Sequence, residues 1–156
     1  MTLISRMKTT RLLVSLLAFV LAQPCCCLGA VQTEQTPPDV ITDAAATRLL
    51  SQVAEGLQGH SSRKMLATFD LLRMNGGELF KQQITAFFNQ YETIRVHFKF
   101  IEVAEGNVVV ADAEMEMTPR DAITPPQHKS LQLRLTAEKE STGWRFIDVQ
   151  PRGFFS

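Results

Sequence analysis

A run of carboxylates is the part of this sequence that most suggests chemistry. Asp112, Glu114 and Glu116 stand two residues apart, and side chains at that spacing share one face of a β-strand. Grouped carboxylates can bind Ca²⁺ or share a proton in acid–base catalysis. The carboxylate ladder is therefore the first candidate for a metal site or an active site.

A second run, of basic residues, favours a different interpretation of the ladder. Arg95, His97 and Lys99 repeat the same spacing, and Glu105-Gly106-Asn107 provides a turn between the two runs. A hairpin that turns at Glu105-Gly106 would set three pairs opposite one another: Lys99 and Asp112, His97 and Glu114, Arg95 and Glu116. A later turn shifts the pairs but still sets bases opposite acids. Such exposed pairs contribute only ~0.2–1 kcal/mol each, and we expect neither a metal nor a catalytic residue among them.

The remaining residues that could do chemistry form no recognisable site. His60, His97 and His128 have no partner at a metal-ligand spacing. The sequence contains no Ser-His-Asp order, glycine-rich phosphate loop or HExxH motif. We therefore predict no cofactor, no metal and no catalytic residue.

The N-terminus has the three zones of a secretory signal. Arg6, Lys8 and Arg11 precede an apolar run over residues 12–22, and small residues at Gly29 and Ala30 follow. The 11-residue run is short for a membrane span, since a hydrocarbon core of ~30 Å needs about 20 residues. We predict a signal peptide over 1–30, cleaved after Ala30, and an exported, periplasmic or secreted protein. An uncleaved membrane anchor is the alternative.

All three cysteines fall inside this signal. Cys25, Cys26 and Cys27 are adjacent and cannot form a CxxC pair. A lipid anchor is not expected, because Cys25 follows Pro24 rather than a small residue. Cleavage after Ala30 would leave no cysteine for a disulfide or for thiol catalysis.

The mature chain is expected to carry a slight negative charge. Removing the signal takes away three basic residues and leaves 13 basic against 16 acidic ones, a net charge of about −3. This balance lacks the basic patch that nucleic-acid binding requires, and contact with a membrane is expected only through the signal before cleavage. Residues 31–41 are polar and predict a flexible leader, and residues 42–156 predict one domain.

Apolar residues at helical spacing predict three helices at the start of the domain. Thr42 is a candidate N-cap for the first, which Gly59 can end, and Ser61 or Ser62 can begin the second. The third runs from about Glu78 to Tyr91. The expected apolar stripes are Ala46, Leu49, Leu50, Val53 and Leu57, then Met65, Leu66, Phe69 and Leu72, then Phe80, Ile84, Phe87, Phe88 and Tyr91.

Alternating polar and apolar residues then predict four antiparallel strands. They cover residues 93–104, 108–118, about 127–137 and 144–150. Each strand should have one buried face and one face in water. The buried residues would include Phe98 opposite Ala113, Phe100 opposite Ala111, and Leu131, Leu133 and Leu135 on the third strand. Helices followed by consecutive strands predict an α+β fold, with three N-terminal helices packed on a curved antiparallel sheet of about four strands.

This pattern resembles the NTF2-like (SnoaL-like, cystatin-like α+β cone) superfamily. The resemblance covers about residues 44–150 and rests on the element order, on Phe87-Phe88-x-x-Tyr91 and on the strand Gly143-Trp144-Arg145-Phe146-Ile147-Asp148. One departure is that residues 71–75 leave little room for the short strand that the family places between its second and third helices. The resemblance implies a cone whose mouth can hold a small apolar ligand, in isomerases, dehydratases and non-catalytic binding or dimerisation modules.

The residues expected inside the cone are apolar, and this decides the predicted function. The candidate lining of a ligand pocket is Phe69, Phe87, Tyr91, Phe98, Phe100, Met115, Met117 and Leu133. Proton transfer needs a titratable group beside the substrate, and only Asp70, Tyr91 and Glu92 could lie at the rim. We predict a non-catalytic domain that binds a small apolar ligand or a protein partner. An isomerase or dehydratase, or a homodimerisation module pairing through the outer sheet face, are the alternatives. Phe154 and Phe155 are expected to tuck under the sheet or the helices.

Overall fold

The computed structural model describes residues 40–156, which form an α+β fold of three helices and an open four-stranded antiparallel sheet. The predicted signal, its cleavage site and most of the leader lie outside the described residues. No helix among the described residues is long and apolar enough to cross a membrane. Export and the signal peptide therefore stay predictions.

The three helices follow the predicted stripes and caps. They span Asp43–Gln58 (α1), Ser62–Leu66 (α2) and Gly77–Gln90 (α3). The Thr42 hydroxyl accepts a hydrogen bond from the Ala45 amide, and the Ser61 hydroxyl does the same for Lys64. α1 and α3 bury the apolar side chains that recur about every 3.6 residues along them and so share one side, whereas the short α2 buries Met65.

The second helix is shorter than its predicted stripe. α2 ends at Leu66, so Leu72 lies in a loop with its side chain 98% exposed, and its expected place on the stripe was wrong. Phe69 instead forms an isolated parallel bridge with Phe146, and hydrogen bonds join Thr68 and Asp70 to the Phe146 backbone at 2.9 Å. Between α2 and α3 this isolated bridge is thus the only strand pairing among the described residues.

The sheet is a meander in which each strand pairs with its neighbours in sequence. The strands are Tyr91–Ala104 (β1), Val108–Pro119 (β2), Gln127–Glu140 (β3) and Gly143–Gln150 (β4). The first hairpin confirms the predicted pairs up to Lys99, although its turn takes in the three residues Glu105–Asn107 and Ala104 faces Val108, not Asn107. Lys99 faces Asp112, His97 faces Glu114, Arg95 faces Glu116 and Phe98 faces Ala113.

A bulge in β1 corrects the predicted register beyond Lys99. The pairing shifts between Lys99 and Glu102, so Phe100 does not face Ala111, and its side chain is 82% exposed. The extra residue moves Ile101 toward the buried face in place of Phe100. On β3, Leu133 and Leu135 are buried as predicted, but Leu131 is 43% exposed because β4 pairs only with the later part of the strand.

Aromatic side chains fill the space between the helices and the sheet. Phe154 and Phe155, on a short 3₁₀ helix at Arg152–Phe155, are fully buried, which confirms that the end of the chain tucks under the fold. The Phe155 ring lies 6.0 Å from that of Phe80, and the Phe69 ring lies 5.0 Å from Phe80. These buried rings occupy the space between the helices and the sheet with the protein's own side chains.

Candidate functional site

A groove between α1 and β1 is the hollow that best suits a ligand. It is open to solvent along its length and has a volume of about 350 Å³, within the range of small-molecule sites. Its apolar walls are Leu50 and Ala54 from the helix and Val96, Phe98 and Ile101 from the strand. The bulge helps to build it, because the change of phase after Lys99 brings Ile101 to the same side as Phe98.

Polar groups line the rim of the same groove. Thr47, Ser51, Glu55 and Gln58 follow one another along α1 at spacings of three or four residues, so they share one flank of the helix. The Glu55 carboxylate is held by Lys64 at 2.6 Å, and the Gln58 amide donates to the Val96 carbonyl at 2.9 Å. Hydroxyls that can orient a polar end of a ligand therefore stand beside an apolar wall.

The predicted lining residues divide into three groups in the structure. Phe98 lines the groove, and Met117, although buried in the core, also borders a separate hollow on the sheet. Phe100 protrudes into solvent at the bulge. The others, which are Phe69, Phe87, Tyr91, Met115 and Leu133, are buried in the core, where Phe87 and Tyr91 pack with their rings 5.0 Å apart.

The predicted rim residues with acid–base chemistry stand away from the groove walls. The Tyr91 side chain is buried, and its hydroxyl donates to Gln127 Oε1 at 3.0 Å. Desolvation works against ionisation of Asp70. Hydrogen bonds from the Arg73 amide, the Glu140 side chain and the Leu72 amide, together with the Arg73 charge, outweigh it and keep the pKa of this carboxyl below its usual range. A carboxylate held ionised in this way is a poor proton donor. Glu92 is exposed.

The carboxylate ladder lies on the outer face of the sheet and forms ion pairs there. Lys99 binds Glu114 at 2.7 Å, on the diagonal, and Arg95 lies 3.9 Å from Glu116. The hydrogen bond from Lys99, together with its charge, lowers the pKa of Glu114. Within the described residues, no group of histidine, cysteine or acidic side chains is arranged to hold a metal ion. The cross-strand interpretation of the ladder is supported by this geometry.

A second hollow of about 320 Å³ lies on that outer face, between the start of β1 and the start of β3. Arg95, Glu116 and His128 form one row across three strands at its floor. This floor is charged and exposed, which suits water better than an apolar ligand.

Sequence reasoning missed the helix side of the groove. Thr47, Ser51 and Ala54 lie one step outside the predicted stripe of α1, and no motif marks them. The sequence did carry a signal for the strand side of the groove. Phe100 and Ile101 are two apolar residues in succession, and from Ile101 to Val103 the apolar residues fall on odd instead of even positions. Such a break in alternation indicates a bulge.

Comparison with known proteins identifies the fold. No protein-family model and no curated protein matches the chain. Similar solved structures include a proposed aromatic ring hydroxylase from Novosphingobium aromaticivorans, at a TM-score of 0.58 and 15% identity, covering 69% of this chain and 85% of that one. A proposed scytalone dehydratase from the same organism has a TM-score of 0.59 at 13% identity, covering 68% and 79%. A ketosteroid isomerase-like protein from Erwinia carotovora atroseptica has a TM-score of 0.52 at 12% identity, and the match covers 68% of this chain and 91% of that one.

These neighbours are NTF2-like and SnoaL-like proteins, and the resemblance read from the sequence is confirmed at the level of the fold. At these identities the likeness extends to the fold alone. Proteins that share this fold differ in whether and what they catalyse, so the function has to be argued from the site.

Proposed function

We propose that this protein is a non-catalytic binding domain that takes a small apolar ligand in the groove between α1 and β1. The single observation that carries the proposal is the groove itself, about 350 Å³ with walls of Leu50, Ala54, Val96, Phe98 and Ile101. Leu50 and Val96 are each only 1% exposed, so an apolar ligand would release water mainly from Ala54, Phe98 and Ile101, at roughly 25 cal/mol per Å².

The proposal of binding without turnover follows from the groups around the groove. Its titratable side chains are Glu55 and His97. Glu55 is already engaged by Lys64, and His97 stands on the exposed face opposite Glu114. Catalysis by proton transfer needs an acid or base within hydrogen-bond reach of the reacting atom, and both groups sit at the rim rather than against the apolar wall.

The test is to fill the groove and measure binding of the hydrophobic dye 1-anilinonaphthalene-8-sulfonate. Ala54→Trp places an indole in the groove, and we expect it to weaken dye binding at least about tenfold, a change of ~1.4 kcal/mol. The matched control is Ala86→Trp, on an exposed side of α3. Equal dye binding by the native protein and Ala54→Trp would remove the proposal.

An isomerase or dehydratase is the second candidate, favoured by the single observation that His97 reaches the groove. The two candidates differ in one measurement. A binding domain releases its ligand unchanged, whereas an enzyme of this kind would turn it over and lose the activity in His97→Ala with binding retained.

A further inference from the structure

The flank of α1 that faces away from the groove borders another hollow, of about 230 Å³, beside the turn between β3 and β4. Its helix residues recur at spacings of three or four and so share one side of α1; they are Ala45, Arg48, Leu49 and Gln52. The buried stripe of α1 separates this flank from the groove, and the two hollows share no lining residue. A ligand of this hollow would therefore be distinct from a ligand of the groove.

The wall opposite α1 carries an indole. Trp144 is half-buried, since it packs against the core and also lines the hollow. Its backbone pairs with that of Lys139 across the hairpin. An ion pair between Arg145 and Glu140, at 3.2 Å, joins the two strands at the same end. The hairpin thus holds the backbone of Trp144 in place, and the indole offers a flat aromatic surface to a ligand.

The charge in this hollow comes from a guanidinium without a partner. Arg48 makes no ion pair or hydrogen bond with any residue that the structure describes, and no acidic residue lines the hollow. The Gln52 amide and the indole N–H of Trp144 are likewise unpaired within residues 40–156. Four other arginines, by contrast, bind carboxylates; they are Arg73, Arg95, Arg145 and Arg152. The hollow therefore combines free hydrogen-bond donors with a positive charge.

We propose that this hollow binds a small aromatic carboxylate, with the ring against Trp144 and the carboxylate on Arg48. A guanidinium can form two parallel hydrogen bonds with a carboxylate, which makes arginine suited to this group. The Gln52 amide stands about one helical turn from Arg48 and is available to donate to the same carboxylate. The volume of about 230 Å³ lies below the ~300 Å³ at which sites for drug-sized ligands begin, so a single ring suits it.

Charge distinguishes this hollow from the groove. The groove has the Glu55 carboxylate at its rim, bound to Lys64, whereas the hollow has only the charge of Arg48. An uncharged apolar ligand would cover the guanidinium without pairing it, and burying an unpaired charge is unfavourable. An anion with one flat apolar face satisfies both the guanidinium and the indole.

Fluorescence of Trp144, the one tryptophan in the chain, reports directly on this hollow. Benzoate is titrated into the native protein up to about 20 mM, because we expect a Kd near ~1 mM for so small a ligand. The change in emission should saturate, whereas collisional quenching rises without saturation. Cyclohexanecarboxylate, which lacks the aromatic ring, and benzamide, which lacks the charge, should each bind several-fold more weakly.

Substitution of Arg48 tests the charge. Arg48→Gln should weaken benzoate binding at least about tenfold, because it removes the cation and keeps a polar side chain. Arg48→Lys should retain only part of the affinity, since an ammonium lacks the planar fork. The matched control is Arg63→Gln, which changes an exposed helical arginine that lines neither hollow and should leave binding unchanged. Circular dichroism verifies that each variant is folded.

Isothermal titration calorimetry of two further variants separates this hollow from the groove. Trp144→Phe should weaken benzoate binding several-fold, because a smaller ring remains. Ala54→Trp should leave benzoate binding unchanged while it weakens dye binding. Absence of saturable benzoate binding by the native protein, or equal binding by Arg48→Gln, would overturn the proposal. Loss of benzoate binding in Ala54→Trp would place the anion in the groove and overturn it as well.

Discussion

The two edge strands of the sheet are treated in opposite ways. β4 is covered: it bridges to Phe69, and the residues that follow it fold back to bury Phe154 and Phe155. Arg152 links this end to the loop before α3 through the Asn75 carbonyl at 2.7 Å. β1 is left largely open, with a groove beside it and Phe100 in solvent.

The contrast between the two edges indicates that the β4 side contributes more to stability, whereas the β1 side has surface available to a ligand or a partner. Near β4, the phenylalanines are buried and contact one another, so they contribute to the free energy of unfolding; they are Phe69, Phe80, Phe146 and Phe155. On β1, by contrast, Phe98 is half-buried and Phe100 is exposed. Exposed apolar surface contributes little to the stability of a monomer and is available to a ligand or a partner.

Truncating one phenylalanine at each edge should give the largest difference. Phe146→Ala should lower the free energy of unfolding by about 3–5 kcal/mol, because it leaves a cavity in a filled core. Phe98→Ala should cost about 1 kcal/mol or less, since that side chain already borders the groove. Urea unfolding followed by fluorescence of Trp144, the one tryptophan in the chain, measures both. Equal losses would mean that the two edges do not differ in this way.

A smaller effect is expected from the ion pair that anchors the end of β4. Desolvation opposes ionisation of Asp148, but hydrogen bonds from Arg152 and Gln150 prevail and lower its pKa from the ordinary value of 3.8. A carboxyl whose pKa is lower in the folded state than in the unfolded state stabilises the fold at pH values above its unfolded-state pKa. This stabilisation is lost as the pH falls through the folded-state pKa.

Asp148→Asn should therefore cost roughly 1 kcal/mol at neutral pH, and the difference should shrink as the pH falls below the ordinary pKa of 3.8. Urea unfolding at a series of pH values measures it. Glu105→Gln is the control, because that exposed side chain has no ion pair among the described residues and should change stability little at any pH. A cost that persists in acid would show that the pair does not act through its charge.

The smallest predicted effect is a gain in stability at the open edge. Phe100→Gly should raise the free energy of unfolding of the monomer by about 0.5–1 kcal/mol, because glycine adopts a φ of 50° without strain. Phe100→Ser removes the same ring but keeps a side chain in the left-handed region, so it should give no such gain. Thermal unfolding at low protein concentration compares the two, and a loss of stability in Phe100→Gly would contradict the argument.

Local patterns in the sequence were enough for most of the elements. The register of the first hairpin followed from setting Arg95, His97 and Lys99 opposite acids, since opposite charges pair across strands. Two elements departed from their patterns. α2 ended before Leu72, and β1 changed phase at Phe100, where the sequence carried the signal of two successive apolar residues. The candidate site was predicted only in part, because Phe98 alone of the proposed lining residues borders the groove.

The sequence by itself determined the α+β class, the helical stripes and the alternation that assigns each strand a buried face, because these depend on residues a few positions apart. Only the tertiary structure decided which hollow stays open. Phe154 and Phe155 fill the cone from the far end of the chain, and the groove arises where α1 passes β1 beside the bulge. Whether a space is filled depends on side chains that are distant in sequence and meet only in the folded protein, so no local pattern can specify it.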